Sequence, residues 1–350
     1  MNEQLLDYIK NATKNISEKE IGLFTGKVGT SLALYIIGKN INDRQLVEIS
    51  DSLLEKVIAD ASDIGNLSID RGLTGIGLAV IFLVSNGYVD GDLDDILGDI
   101  DVLLYKSLNN KNIKYGISCT SGLTGFLVYL VERLDHCKEC RGINYQLNVS
   151  SLRSVINMLE ETLPRHFEEM TKDVYISLIN NFPILFVYLG RALDLGVYND
   201  KINNFIGYWS SYFMSYIPYY NVNKLYLAVA LQYMNRTIAN RHIDKYIQTL
   251  LFSIDMDELY KEIDVNIMNV NEGFFFVEVL LYAVEKLFLS TDIRTRFFQM
   301  RCKIQKKYNP VYKDFINNTA KQDGNLSLIN SFIGVEALNF LYPSIFNIAD

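Results

Sequence analysis

The stretch "GLTGIGLAVIFLV" at residues 72–84 returns as "GLTGFLVYLVERL" at 122–134, with the same Gly-Leu-Thr-Gly opening. Two glycines three apart, followed by an almost unbroken apolar run, suit a helix whose first turn lies against a neighbouring backbone and whose body is buried on most sides. A second copy points to an array. "GLFTGKVGTSLALYIIG" at 22–38 is an upstream member, with Gly26 and Gly29 in the places of Gly72/Gly75 and Gly122/Gly125. Downstream the glycines erode while the apolar frame persists, in "SLINNFPILFVYLGRAL" (177–193), "NKLYLAVALQYM" (223–234), "NEGFFFVEVLLYAVEKLF" (271–288) and "SLINSFIGVEALNFL" (327–341).

The seven anchors, at 26, 72, 122, 181, 224, 273 and 331, stand 43 to 59 residues apart, which fits two helices and two connections per interval. Between them lie segments such as 43–60 and 91–108, where apolar residues recur every three or four positions among charges, as in outer, half-exposed helices. Five prolines and 49% hydrophobic residues in 350 positions fit one large all-α domain with a thick core. The expected architecture is an α/α toroid of seven inner and about seven outer helices over residues 1–350, with residues 1–20 as a peripheral N-terminal helix. Seven helices ~9 Å apart make a ring roughly 20 Å across its axes. Helix radii of ~5–6 Å leave a hollow on the order of 10 Å wide. The inner N-termini then share one rim, where unsatisfied N–H groups and helix dipoles converge on a natural ligand mouth.

Several classes are excluded or disfavoured. The apolar runs fall far short of the ~18 residues of a membrane span, and the first residues lack a signal core, so a cytoplasmic protein is expected. Four cysteines without framework spacing fit reduced thiols. A net charge of −8 without a basic stripe argues against nucleic acid.

The set "GLFTGKVG", "RGLTGIG" and "SGLTGF" resembles the lanthionine synthetase C-like (LanC-like) family, an α/α toroid with a Gly-x-x-Gly signature on its inner helices. That resemblance implies a catalytic zinc that activates a peptide cysteine thiol for addition to a dehydroamino acid. It also implies zinc ligands, a Cys-His pair and a further cysteine, and a catalytic histidine and aspartate, at places this chain fills otherwise. Asn271 and Glu272 stand where a Cys-His pair would precede the sixth inner helix. "YYNVNK" (219–224) offers no cysteine before the fifth, Asn180 replaces a histidine before the fourth, and Ser118 lies near an aspartate position before the third. The resemblance therefore implies a divergent member without zinc ligands, leaning away from an enzyme, with no cofactor. Its partners would be a peptide or precursor peptide and other peptide-modifying enzymes.

Two motifs invite other readings. "HCKEC" (136–140) offers His136, Cys137 and Cys140 for a structural metal, or is a polar helix-end loop with reduced thiols. "DGDLDDILGDID" (90–101) has acidic residues at calcium-loop places but Asp95 where glycine is required, so an acidic helix start accounts for it better. The residues just ahead of the inner helices are the candidate mouth: Asp70, Arg71, Ser118, Asn180, Asn181, Asn271, Glu272 and Asn330, together with Thr25, Cys119, Thr120 and Asn223. N-capping alone would select most of these types, Arg71 and Glu272 excepted. Two further readings remain: a carbohydrate-active toroid hydrolase using Asp70 and Glu272, and a structural partner whose hollow is packed shut. Asp70 and Glu272 belong to nearly opposite helices, whereas glycosidase carboxyls approach to roughly 5–9.5 Å.

Overall fold

Segments that are apolar all round and segments with one apolar stripe alternate along the chain, and they fold as inner and outer helices. The structure, a computed structural model, describes residues 9, 13, 21–24, 26–61, 64–137, 142–171, 181–267 and 274–319. These residues hold thirteen helices and no strand. The inner helices are α1 (Lys27–Ile41), α3 (Leu73–Ser85), α5 (Leu123–Asp135), α7 (Asn181–Asp194), α9 (Asn221–Ile238) and α12 (Phe274–Leu287). The others are α2 (Arg44–Asp60), α4 (Leu93–Leu108), α6 (Ile143–Met170), α8 (Asn199–Phe213), α10 (Arg241–Phe252), α11 (Met256–Ile267) and α13 (Thr291–Thr319). The seventh inner segment, 327–341, and all of 1–20 except Ile9 and Thr13 lie outside the described residues.

Burial separates the two kinds. α2 buries Leu46, Ser50, Leu53 and Val57, and α4 buries Leu97, Asp101, Leu104 and Leu108, the same single stripe in both. α3 buries nine residues distributed around its axis. Each inner helix packs on the next, α1 on α3, then α5, α7, α9 and α12, while α2, α4, α6, α8, α10 and α13 lie against the inner helix that each follows. One element departs from the expected alternation. The fifth interval holds three helices, because α11 intervenes between α10 and α12 and packs on α9, α12 and α13. Asp255 starts it by accepting from the Asp257 and Glu258 amides at 2.9 and 3.0 Å.

Two buried carboxylates join layers. Asp101 of α4 accepts from Tyr129 Oη at 2.7 Å, Asn148 Nδ2 at 2.8 Å and Arg133 Nε at 3.1 Å, binding α4, α5 and α6 together. Burial raises its pKa above the ordinary carboxylate range, although Arg133, Asn148 and Tyr129 pull the other way. Glu278 of α12 accepts from Arg301 Nε at 3.0 Å and Gln305 Nε2 at 2.6 Å, both from α13. All of its bonds reach one oxygen, and its pKa is pushed up to about 7 by burial.

The decoy motifs resolve locally. Residues 90–101 are a helix start: Asp92 caps α4 through the Asp94 amide at 2.7 Å, and Asp101 faces the buried cluster. Cys137 is buried and takes a hydrogen bond from Arg133, burial lifting its thiol to about 12, whereas His136 beside it is exposed. Cys140 lies outside the described residues. No described helix is long and apolar enough to cross a membrane.

Candidate functional site

The first and third glycine-led starts share one backbone scheme, whereas in the second the Gly75 amide donates to Gly72 O at 3.1 Å. The Gly122 and Gly125 amides both donate to Ser118 O (2.9 and 3.3 Å), as the Gly26 and Gly29 amides do to Gly22 O (3.0 and 3.4 Å). Neighbouring loops are then linked along the rim. Leu23 N donates to Asp70 O at 3.0 Å, and at the equivalent place one repeat on, Ile69 N donates to Thr120 O at 2.9 Å. The glycines are needed for closeness rather than for backbone freedom, since Gly26, Gly72 and Gly122 all have extended, negative φ. A Cβ on Gly75 would stand 2.0 Å from Ile69 O, and one on Gly125 2.3 Å from Cys119 O.

This closure corrects two expectations. At the first three starts the mouth is not a row of unsatisfied N–H groups: Val28 N is taken by Ile21 O, Leu73 N by Asn66 O and Leu123 N by Gly116 O. Nor do Asp70, Arg71, Ser118 and Thr120 cap the inner helices. The N-caps are Gly26, Gly72 and Gly122, none with a side-chain cap. Instead Ser118 Oγ accepts from the Thr120 amide at 3.1 Å and shares a hydrogen bond with its hydroxyl at 2.8 Å. Asp70 pairs with Arg71 at 3.3 Å, an exposed contact in which the Arg71 side chain is 79% accessible. The Asp70 and Ser118 loops meet through Thr120 O, which also accepts from Asp70 N at 3.2 Å.

Asn181 opens α7 instead of preceding it, and Asn223 lies inside the first turn of α9. Thr25, Asn180, Asn271, Glu272 and Asn330 lie outside the described residues. Sequence reading missed Asn221 and Glu262. At the mouth end of α9, the Glu262 carboxylate accepts from Asn221 N, Asn221 Nδ2 and Val222 N at 3.0, 2.9 and 3.0 Å. Glu262 sits on an amphipathic helix, and no sequence cue says that it faces α9. Also missed was a polar group between inner helices 3 and 4, where Arg191 grips Glu132 and Asp135 and Tyr188 Oη donates to Glu132 at 2.8 Å. Cys119 lies close enough to Tyr188 and Tyr226 to act on both electrostatically, and burial lifts its own thiol to about 12.

Residues 1–132 match the family model described as "Lanthionine synthetase C-like protein". Over that first part the chain resembles the LanC-like proteins. The match ends inside α5, after the third glycine pair and where the glycines begin to erode. Among solved structures, one titled "Nisin cyclase" has a similar fold, with a TM-score of 0.61 and 14% identity, covering 98% of this chain and 94% of that one. No curated protein matches by sequence.

The resemblance to LanC-like proteins implies a zinc, and the described mouth residues do not offer a ligand set for one. Ser118 offers a hydroxyl already engaged in its own loop. Cys119 is a buried thiol whose pKa burial lifts to about 12. Asn221 presents an amide whose oxygen accepts from Lys224 Nζ and Asp255 N, both at 3.2 Å. No described group of three or more His, Cys, Asp and Glu residues is arranged around a metal position.

Proposed function

We propose that this LanC-like chain is an accessory protein of lanthipeptide-type peptide modification, which holds a precursor peptide at the toroid mouth without zinc-dependent cyclase chemistry. One observation carries this reading: a toroid similar over nearly its whole length to a nisin cyclase presents a hydroxyl and an amide, already engaged within the protein, at described mouth places where a catalytic aspartate and a zinc-ligating cysteine are implied. Asparagine amides both donate and accept, so Asn180, Asn181, Asn271 and Asn330 suit a peptide backbone in either polarity. Arg71 and Glu272 would add opposed charges. Other peptide-modifying enzymes are the natural neighbours of such a carrier. The cytoplasm, where Cys119, Cys137 and Cys302 stay free thiols, is its natural compartment.

The test is binding of precursor peptides encoded beside the gene, measured by calorimetry on the full chain. Because Arg71 is exposed and shared with Asp70, Arg71→Ala should weaken binding by about 5-fold, roughly 1 kcal/mol. Thermal stability should stay unchanged. Glu272→Gln should weaken binding comparably. Unchanged affinity in both variants sinks the mouth as the peptide site.

A further inference from the structure

The fifth inner helix is closed differently from the first three. It has no glycine pair. A carboxylate from another helix takes its place, with Glu262 Oε1 on Asn221 N and Nδ2 and Oε2 on Val222 N. A negative group at a helix N-terminus is favoured by the aligned backbone dipoles, and its bonds to N–H groups are charge-assisted. The Asn221 side chain, in a residue only 6% exposed, extends the contact in the other direction. Its oxygen accepts from Lys224 Nζ and from Asp255 N, and Lys224 Nζ continues to Ser253 O at 3.2 Å. Asp255 is the residue that starts α11. The starts of α9 and α11 are thus sewn together through one asparagine, and α11, the helix that breaks the alternation, carries the carboxylate that closes the clasp.

This is the place where the LanC-like fold implies a cysteine ligand before the fifth inner helix. A metal bound here would have to withdraw the Asn221 side chain from three hydrogen bonds, or the Glu262 carboxylate from three. We propose that the Glu262 clasp occupies the mouth end of α9 in place of a metal: it ties that end to α11 and to the α10–α11 turn, so that this part of the mouth is assembled without metal. Glu262 is a positioning residue, and zinc is neither required nor accommodated at this helix.

The experiment is thermal unfolding of the full chain, with and without EDTA and with one equivalent of zinc, for the wild type, Glu262→Gln, Asn221→Ala and the double variant. The wild-type Tm is expected to be unchanged by EDTA or zinc. Each single variant should lower Tm by roughly 4–8 °C, and the double variant by little more than the worse single one, because both remove the same bonds. If Glu262→Gln does not fold, Lys224→Met, which removes only the outer arm, should lower Tm by roughly 2–4 °C and be equally indifferent to zinc. A wild-type Tm raised by zinc or lowered by EDTA overturns the proposal, as do single variants that melt within a degree of wild type or add fully. These readouts do not involve peptide, so the clasp and the peptide reading can fail separately.

Discussion

The first three inner helices and the fifth reach the same rim by opposite means. In the first three, a glycine-spaced start lets the preceding loop fold under the helix, and backbone carbonyls take the first N–H groups. At the fifth, which has no glycine pair, the Glu262 side chain takes the first N–H groups. The same contrast appears in the buried acids. Asp101, in the glycine-led half, has hydrogen bonds on both oxygens from Tyr129, Asn148 and Arg133. Glu278, on α12, receives Arg301 and Gln305 on one oxygen while the other has no hydrogen bond. Local sequence suffices where the backbone makes the contact. Where side chains from distant elements make it, the contact is tuned residue by residue and leaves less of a pattern.

The sharpest way to break the comparison is at the glycines. Gly75→Ala forces a methyl to 2.0 Å from a backbone carbonyl that is part of the rim link, so it should cost at least about 3 kcal/mol in denaturant unfolding. Gly65→Ala, with nothing within 4 Å of the added methyl, is the control and should stay within about 0.5 kcal/mol. A tolerated Gly75→Ala would mean that the loops are not packed as described.

Glu278 should give a smaller effect, and one that depends on pH. Its folded pKa of about 7 lies above the ordinary 4.5, so the folded state favours the protonated form. The stabilisation is complete below about pH 4.5 and disappears as pH rises through 7, about 3 kcal/mol in all at most. The facing groups are Arg301, Gln305 and Glu285, and Arg301 is shared with Glu285 at 3.0 Å. Glu278→Gln should flatten the difference between urea unfolding at pH 5 and pH 8. A wild type whose stability does not change over that range would show that the second oxygen is satisfied in solution.

The smallest effect belongs to the rim side chains. Ser118→Ala removes one acceptor from the Thr120 amide within its own loop and should cost about 0.5–1 kcal/mol, with the link through Thr120 O retained. A loss several times larger would place the rim's closure in its side chains even in the glycine-led half, and would erase the contrast with Glu262.

The inner and outer helices, their order and the equivalence of 26, 72 and 122 were legible in the sequence, because glycine spacing and apolar periodicity are local consequences of close helix packing. The acidic start of α4 was legible for the same reason. The site was read less well. Capping chemistry predicts side chains at Asp70 and Ser118, but the glycines admitted the loops, and backbone carbonyls took over the task. The start of α9 was set three residues late because it has no glycine to mark it, and Asn221 was passed over as merely not cysteine. What the sequence determined by itself is the alternating toroid and, over its first three repeats, the resemblance to LanC-like proteins, since each repeat carries its own packing signal. Only the tertiary structure decided that α11 would bring Glu262 to Asn221, 41 positions away. An isolated carboxylate on an amphipathic helix carries no sign of which helix end it will meet until the helices have packed.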